Sequence, residues 1–316
     1  MSHKKILIYF TKKEVAADPY AHMPDRREIY WALFQEGRAR GFDMYLGVKP
    51  TIHHGGMEFE NVLFFTGEQF ELREERILFD AIFDRSPNKN FPTPDIDKKT
   101  LNSSAFKELA NNKDQTYELL KRYMPKTFPI SSKQDFVTSH SMFLPKEMAV
   151  FKPVDSFGGK GVIITEAKNL LPDLVVPNKK FILQKFVDTS GGVPGIISGH
   201  HDLRIIIVDG SPVLLQARSP KPGELRANVS QGGQSIEFPY EAAPSALKAI
   251  VSQVHPLIDS LYDSPFYSID FGIDADGTPY IFEINDQIGF KGAITGQNRI
   301  KFCKNFIDSL EKRARL

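Results

Sequence analysis

Residues 268–285, Ser-Ile-Asp-Phe-Gly-Ile-Asp-Ala-Asp-Gly-Thr-Pro-Tyr-Ile-Phe-Glu-Ile-Asn, constrain the fold more than any other stretch of this chain. Two apolar, strand-like runs flank an Asp-Gly turn, and each carries an acidic residue where a buried strand calls for a hydrophobic one. Alternation puts Ser268, Asp270 and Gly272 on one face of the first run, opposite Tyr267, Ile269, Phe271 and Ile273. In the second run Tyr280, Phe282 and Ile284 share a face, and Ile281, Glu283 and Asn285 share the other. Pairing Ile273 with Tyr280 across the turn sets Asp270 opposite Glu283. Like charges directly opposite destabilise a ladder, so this register predicts a cation between them. Oxygen donors of this kind suit Mg²⁺, which is held by one or two carboxylates plus substrate phosphates. For a hairpin taken alone, a solvated polar edge is the simpler reading.

The rest of the chain has to supply a context. Its 316 residues suffice for two or three structural units. A formal net charge of +1 gives no overall field toward nucleic acid or an anionic membrane. No apolar run approaches bilayer length, and the amino-terminal segment ending at Phe10 lacks the long apolar core of a signal peptide. The single cysteine, Cys303, excludes a disulfide within the chain and any multi-cysteine zinc site, so a cytoplasmic location is expected. The pairs His53-His54 and His200-His201 lack the i, i+4 spacing of a helical zinc site and read as loop or strand-end residues.

In order, residues 4–10 predict a buried strand and 25–40 a helix stopped by Gly41, with strands at 43–48, 60–66 and 78–83. This is a small α/β unit with a mainly parallel sheet, left through the proline-rich segment 86–95. A second unit opens with a helix over 114–123 and continues with strands at 126–130, 147–153, 161–166 and 180–187. A third has strands at 202–208 and 212–218, a polar loop over 219–234, a helix over 243–262, the hairpin, and a helix after 297.

Several residues in these units can do chemistry. The turn Asp155-Ser156-Phe157-Gly158-Gly159-Lys160-Gly161 joins two strands, and its glycines let backbone N–H groups converge on an anion. It lacks the Ser or Thr and the following helix of a Walker loop, and a tight hairpin turn also fits it. Lys152 stands inside an apolar strand, where it must reach solvent or an anion. Lys113 stands at a helix start, where the macrodipole disfavours a cation unless a negative ligand is present. Asp202 and Arg204 share a strand face, Arg218 ends the next strand, and the following loop carries Arg226 and Asn228. Arginines gathered about one loop suit carboxylate or phosphate recognition. The prolines and glycines of that loop suit a lid over substrate.

Taken together and in this order, Lys113, Phe151-Lys-Pro-Val-Asp-Ser-Phe-Gly-Gly-Lys-Gly161, Gln184-Lys-Phe-Val187, Asp202-Leu-Arg204, Arg218 through Asn228, and Glu283-Ile-Asn285 resemble the ATP-grasp superfamily. The likeness is to the bacterial glutathione synthetase and ribosomal-protein glutamate ligase branch, and it covers residues 100–312. It implies an α/β (α+β ATP-grasp) fold: a Rossmann-like amino-terminal domain at 1–100, a central subdomain at 101–183 and a carboxy-terminal subdomain at 184–316. It also assigns roles. Lys113 and Lys152 contact ATP phosphates beneath the turn of Asp155, Ser156, Phe157, Gly158, Gly159 and Gly161. Gln184, Lys185, Phe186 and Val187 meet adenine, and Asp202 also binds nucleotide. Asp270, Glu283 and Asn285 hold two Mg²⁺ ions, with Mn²⁺ as a substitute. Arg204, Arg218 and Arg226 are the catalytic cations, and Arg85 and Asn228 are substrate contacts. The implied reaction joins a carboxylate of a small amino acid or peptide to an amine through an acyl phosphate. A ligase of proteins or precursor peptides, a non-catalytic nucleotide module and an acyl-phosphate-forming phosphotransferase are the alternatives. The resemblance leaves open a homo-oligomer. Glutathione synthetases follow Glu-Ile-Asn with a Ser-Pro-type segment, and this chain reads Asp286-Gln287-Ile288-Gly289-Phe290.

Overall fold

The computed structural model describes residues 3–14, 19–20, 24–86, 94–156, 158–227, 232–289 and 295–316. The first unit is built on β1 (Lys5–Glu14), α1 (Pro24–Ala39) and β2 (Asp43–Lys49). Six short strands follow: β3 (Ile52–Gly55), β4 (Glu58–Glu60), β5 (Val62–Phe65), β6 (Phe70–Arg73), β7 (Ile77–Leu78) and β8 (Ala81–Asp84). Then come α2 (Pro94–Lys98) and β9 (Thr100–Leu101). The main sheet has the order β6-β5-β2-β1-β8-β9. It is parallel across β2, β1, β8 and β9 and antiparallel at the β5–β6 edge. The expected parallel sheet is therefore its interior. The antiparallel additions and the separate β3-β4-β7 sheet consist of strands too short to show a period, and His53 and His54 fall in β3. Helix α1 buries Ile29, Leu33 and Phe34, an i, i+4, i+5 stripe, against Ile6, Ile8 and Met44.

The middle unit starts with α3 (Ser104–Ala110) and α4 (Lys113–Leu120). Asn112 caps α4 by accepting from the backbone amides of Asp114 and Gln115. Next are β10 (Thr127–Ile130), α5 (Lys133–His140), β11 (Met148–Pro153), β12 (Ile163–Glu166) and β13 (Phe181–Lys185). These strands form an antiparallel sheet in the order β10-β13-β11-β12, over a core in which Phe151 stacks on Phe181 at 4.8 Å. The glycine turn joins β11 to β12.

The last unit comprises β14 (Asp202–Val208), β15 (Ser211–Ser219), β16 (Gln234–Pro239), α6 (Ser245–Tyr262), β17 (Tyr267–Ile273), β18 (Pro279–Asn285) and α7 (Gly296–Ala314). Its antiparallel sheet runs β16-β15-β14-β17-β18. One face is apolar throughout: Leu203, Ile205, Leu215, Ile269 and Phe271 pack with Leu247, Val251, Val254 and Ile258 of α6. The other face changes character along each strand. Asp202 and Arg204 give way to Ile206 and Val208, and Arg218 and Gln216 give way to Leu214. Asp270 and Ser268 likewise give way to Phe266. The apolar half joins Phe302 and Phe306 of α7 and the first unit's Ile6 and Phe83 in one core. The polar half faces the middle unit, and the site forms there.

Candidate active site

The hairpin places Asp270 opposite Glu283, as its composition predicts, but by a different register. Ile273 pairs with Pro279 and Gly272 with Tyr280, and a bulge between Asp270 and Phe271 restores the acidic pair. Phe282 is the extra residue. A bulge shifts which residues share a face. Ile281 is consequently buried in the α6 core, not beside Glu283, and Phe282 turns to the cavity side with Glu283. Gly272 makes room for it: a Cβ there would come within 2.1 Å of Phe282 Cζ.

The expected cation beside Asp270 is supplied by the chain itself. Arg204, its cross-strand partner, donates Nε and Nη2 to the two carboxylate oxygens at 2.7 Å each. Arg218 adds Nη2 at 2.7 Å and pairs through Nε with Asp202. Burial would raise Asp270, but Arg204 and then Arg218 bring it down to about 2. Asp202, with one guanidinium and the neighbouring charge of Asp270, is pushed up to about 6, chiefly by burial. Burial would lower Arg218, yet the two carboxylates hold it above its ordinary value. Charge imbalance at Asp270 is thus no argument for a metal.

Glu283 is different. Asn285 donates its amide to Asp270 Oδ2 at 3.1 Å and to Glu283 Oε1 at 3.2 Å, and among the described residues no ion pair joins Glu283. No group of three or more His, Cys, Asp or Glu side chains gathers among the described residues. Two carboxylates and one amide oxygen are nonetheless the hard donors that Mg²⁺ takes when substrate phosphates complete its shell.

Facing this wall are two lysines, Lys152 buried and Lys113 half-buried. Lys152 is 8% exposed, and its Nζ donates to the Gln184 amide oxygen at 3.1 Å. Burial lowers its pKa from 10.5 to about 8, with Glu283 opposing and Lys113 reinforcing the drop. Lys113 donates to the carbonyls of Val154 at 3.1 Å and Ser156 at 2.6 Å, so it ties the start of α4 to the glycine turn. Burial lowers its pKa as well, against Glu283 and Asp155. Gly158, Gly159 and Gly161 adopt φ of 63°, 76° and 70°, a backbone that side-chain-bearing residues resist. Arg226 reaches the Gly159 carbonyl at 3.4 Å and pairs with Glu224 at 3.2 Å.

One cavity is lined by Lys113, Lys152, Ser156, Gly159, Gln184, Lys185, Phe186, Val187, Asp202, Arg226, Asp270 and Glu283. Asn285 lines an adjoining one with Lys113 and Glu283. Asp155, Gly158 and Gly161 belong to the turn above without lining the cavity, and Arg204 and Arg218 act on it through Asp270 and Asp202. Arg85 stands apart: its Nη1 donates to the Ile288 carbonyl at 2.9 Å, and its guanidinium lies over Phe83 and Phe10. Phe157 and Asn228 lie outside the described residues. Sequence reading did not find the apolar walls Val150, Val162 and Ile164, nor Thr189, His201 and Phe282. Val150 and Ile164 are strand residues like any others in the sequence and Val162 directly precedes β12, and it is the fold that turns them to one cavity.

The family profile described as "Prokaryotic glutathione synthetase, ATP-grasp domain" matches residues 112–259. That segment is similar to an ATP-grasp domain. Two relatives, probable α-L-glutamate ligases of Shewanella halifaxensis and Legionella pneumophila, are 27% and 25% identical over 168 and 223 residues. These matches cover 52% and 68% of this chain and 33% and 68% of theirs. The fold of the whole chain extends the likeness. D-alanyl-alanine synthetase A from Vibrio cholerae superposes with a TM-score of 0.66 at 11% identity, covering 100% of both chains. The ATP-grasp ligase PsnB, solved with a phosphomimetic variant of its minimal precursor, Mg and ADP, gives 0.59 at 12% identity over 98% of each. The chain therefore shares the fold of these two solved structures from end to end. Among its described residues no helix is long and apolar enough to cross a membrane.

Proposed function

We propose that the chain is an ADP-forming ligase, dependent on ATP and Mg²⁺, that joins the carboxylate of a small amino acid or peptide to an amine. The observation that carries this is the pair of desolvated lysines facing Glu283 in a cavity closed by the glycine turn. A lysine held away from water calls for an anion, and a polyphosphate supplies one. Lys113 and Lys152 hold the phosphates under the turn, and Gln184 to Val187 receive adenine. Asp270, Glu283 and Asn285 would hold Mg²⁺, which neutralises phosphate charge when bound. The substrate carboxylate attacks the γ-phosphorus and ADP leaves. The amine then attacks the acyl carbon, the C–N bond forms, and phosphate departs with the C–O electron pair. Arg226 at the cavity stabilises charge on the transferring group, and Arg204 and Arg218 hold Asp270 and Asp202 in place beside it. The substrates are small molecules, with neither nucleic acid nor membrane as partner.

The test is release of ADP and phosphate over a panel of L- and D-amino acids and dipeptides, with mass spectrometry of products and hydroxylamine to trap an acyl phosphate. Turnover that depends on both an acid and an amine, and that Asp270→Ala with Glu283→Ala abolishes, is the expected result. Absence of ADP release across the panel, or activity surviving the double variant, would overturn the reading.

A further inference from the structure

His201 lies in the same cavity and has no part in the chemistry above. It is 3% exposed and immediately precedes β14. Its Nδ1 is 3.0 Å from the Gly199 carbonyl oxygen, and its backbone N–H donates to Thr189 Oγ1 at 3.0 Å. A carbonyl oxygen can only accept, so Nδ1 carries the ring proton and Nε2 presents a lone pair. Nε2 is buried without a hydrogen-bond partner. Burial, working against the bonds at Gly199 and Thr189, lowers the ring's pKa from 6.5, which keeps it neutral at pH 7. This is a fixed acceptor left without a donor, on a residue that lines the cavity.

The cavity's lining limits which donor that is. It includes apolar Val150, Ile164 and Val187 and cationic Lys113, Lys152 and Arg226. In a nucleotide the base suits the first set and the polyphosphate the second, and the ribose, whose hydroxyls donate, joins the two. His201 lines the same cavity with an acceptor to offer. It is bonded to Thr189, two residues beyond the Gln184–Val187 segment, and it adjoins Asp202, which leads β14 into the arginine cluster. We propose that His201 Nε2 accepts a hydrogen bond from a ribose hydroxyl of the bound nucleotide and so selects ribonucleotides over deoxyribonucleotides. The proposal rests on the nucleotide reading of the cavity and needs neither acid nor amine substrate.

Calorimetric titration with Mg²⁺ and ADP, 2′-deoxy-ADP, 3′-deoxy-ADP or IDP tests it. Wild-type protein is expected to bind ADP about tenfold more tightly than the deoxy analogue lacking the bonded hydroxyl. In His201→Leu that factor disappears, because ADP weakens to the level of the analogue. In His201→Gln, which restores an acceptor oxygen, the factor is retained, and the ADP-to-IDP ratio is the same in all three proteins. Equal binding of ADP and both deoxy analogues by the wild-type protein overturns the proposal without any variant. So does discrimination that survives in His201→Leu. Loss of the ADP-to-IDP ratio in that variant, with the ribose factor intact, would assign the donor to the adenine amine instead and refute the ribose contact. Failure of all four nucleotides to bind would refute the nucleotide reading itself, a result distinct from binding without ribose discrimination.

Discussion

Lys152→Met should make the nucleotide-free protein more stable while removing much of its grip on nucleotide. The wild-type ammonium is buried, and its pKa falls from 10.5 to about 8. At 1.36 kcal/mol per pH unit, that gap is a folded-state penalty of about 3 kcal/mol on the charged form. Methionine keeps most of the stem and removes the charge, but it forfeits the bond from Nζ to Gln184, worth about 1 kcal/mol. The expected gain at pH 7 is therefore about 2 kcal/mol, or about 4 °C in melting temperature for a chain of this size. Its pH dependence follows from the same values. Between pH 8 and 10.5 the unfolded chain keeps a proton that the folded chain has released, so wild-type stability climbs with pH. The variant's advantage is full below pH 8 and fades toward 10.5. ADP with Mg²⁺ at about 100 times its Kd should stabilise the wild type by about 2.7 kcal/mol and the variant by much less, reversing the order. Differential scanning calorimetry at pH 7 and about pH 9.5, with and without Mg-ADP, measures all of this. A variant less stable than wild type at pH 7 without nucleotide, or one shifted equally by Mg-ADP, would refute the reasoning.

Three further outcomes are expected. Asp270→Asn leaves Arg204 and Arg218 with one shared carboxylate fewer, so urea unfolding should show a loss of about 3 kcal/mol, and ADP release should fall by a factor of about 100 or more. Gly272→Ala must displace Phe282, at 2.1 Å from the new Cβ, or Thr189, at 2.8 Å; a loss of about 1–3 kcal/mol in thermal melts and weaker ADP binding should follow. Glu237, on β16, is pushed up to about 7 by burial, with Gln216 and the Thr295 amide opposing. The folded chain then holds a proton that the unfolded one loses above 4.5, so stability should fall as pH rises from 4.5 to 7, and Glu237→Gln should flatten that slope in urea titrations at stepped pH.

What the sequence made legible was whatever repeats along one strand or follows in order along the chain. The alternation in Asp202-Leu-Arg-Ile-Ile-Ile-Val208 already holds the whole division of the last sheet: one apolar face, and another that is polar at one end and apolar at the other. Lys152 inside an apolar strand is expected to reach solvent or an anion, and the structure instead keeps it buried on the Gln184 amide, without a carboxylate partner among the described residues. What escaped depends on contacts between distant residues. Nothing within 279–285 reports that Phe282 is an extra residue, because the bulge is defined only against β17 and is accommodated by Gly272 across the ladder. Two unforeseen departures, Pro279 opposite Ile273 and the bulge, cancel, so Asp270 still meets Glu283. The charge argument called for a cation without naming its source, for the same reason. It weighed two acids within one hairpin, whereas Asp270 is neutralised by arginines 66 and 52 residues away along the chain. Glu283 is the acid left without an ion pair among the described residues, and it faces both lysines. The cationic demand first read at the middle of the hairpin therefore moves to its β18 edge, where a metal ion, if bound, would find a carboxylate not already spent on an arginine.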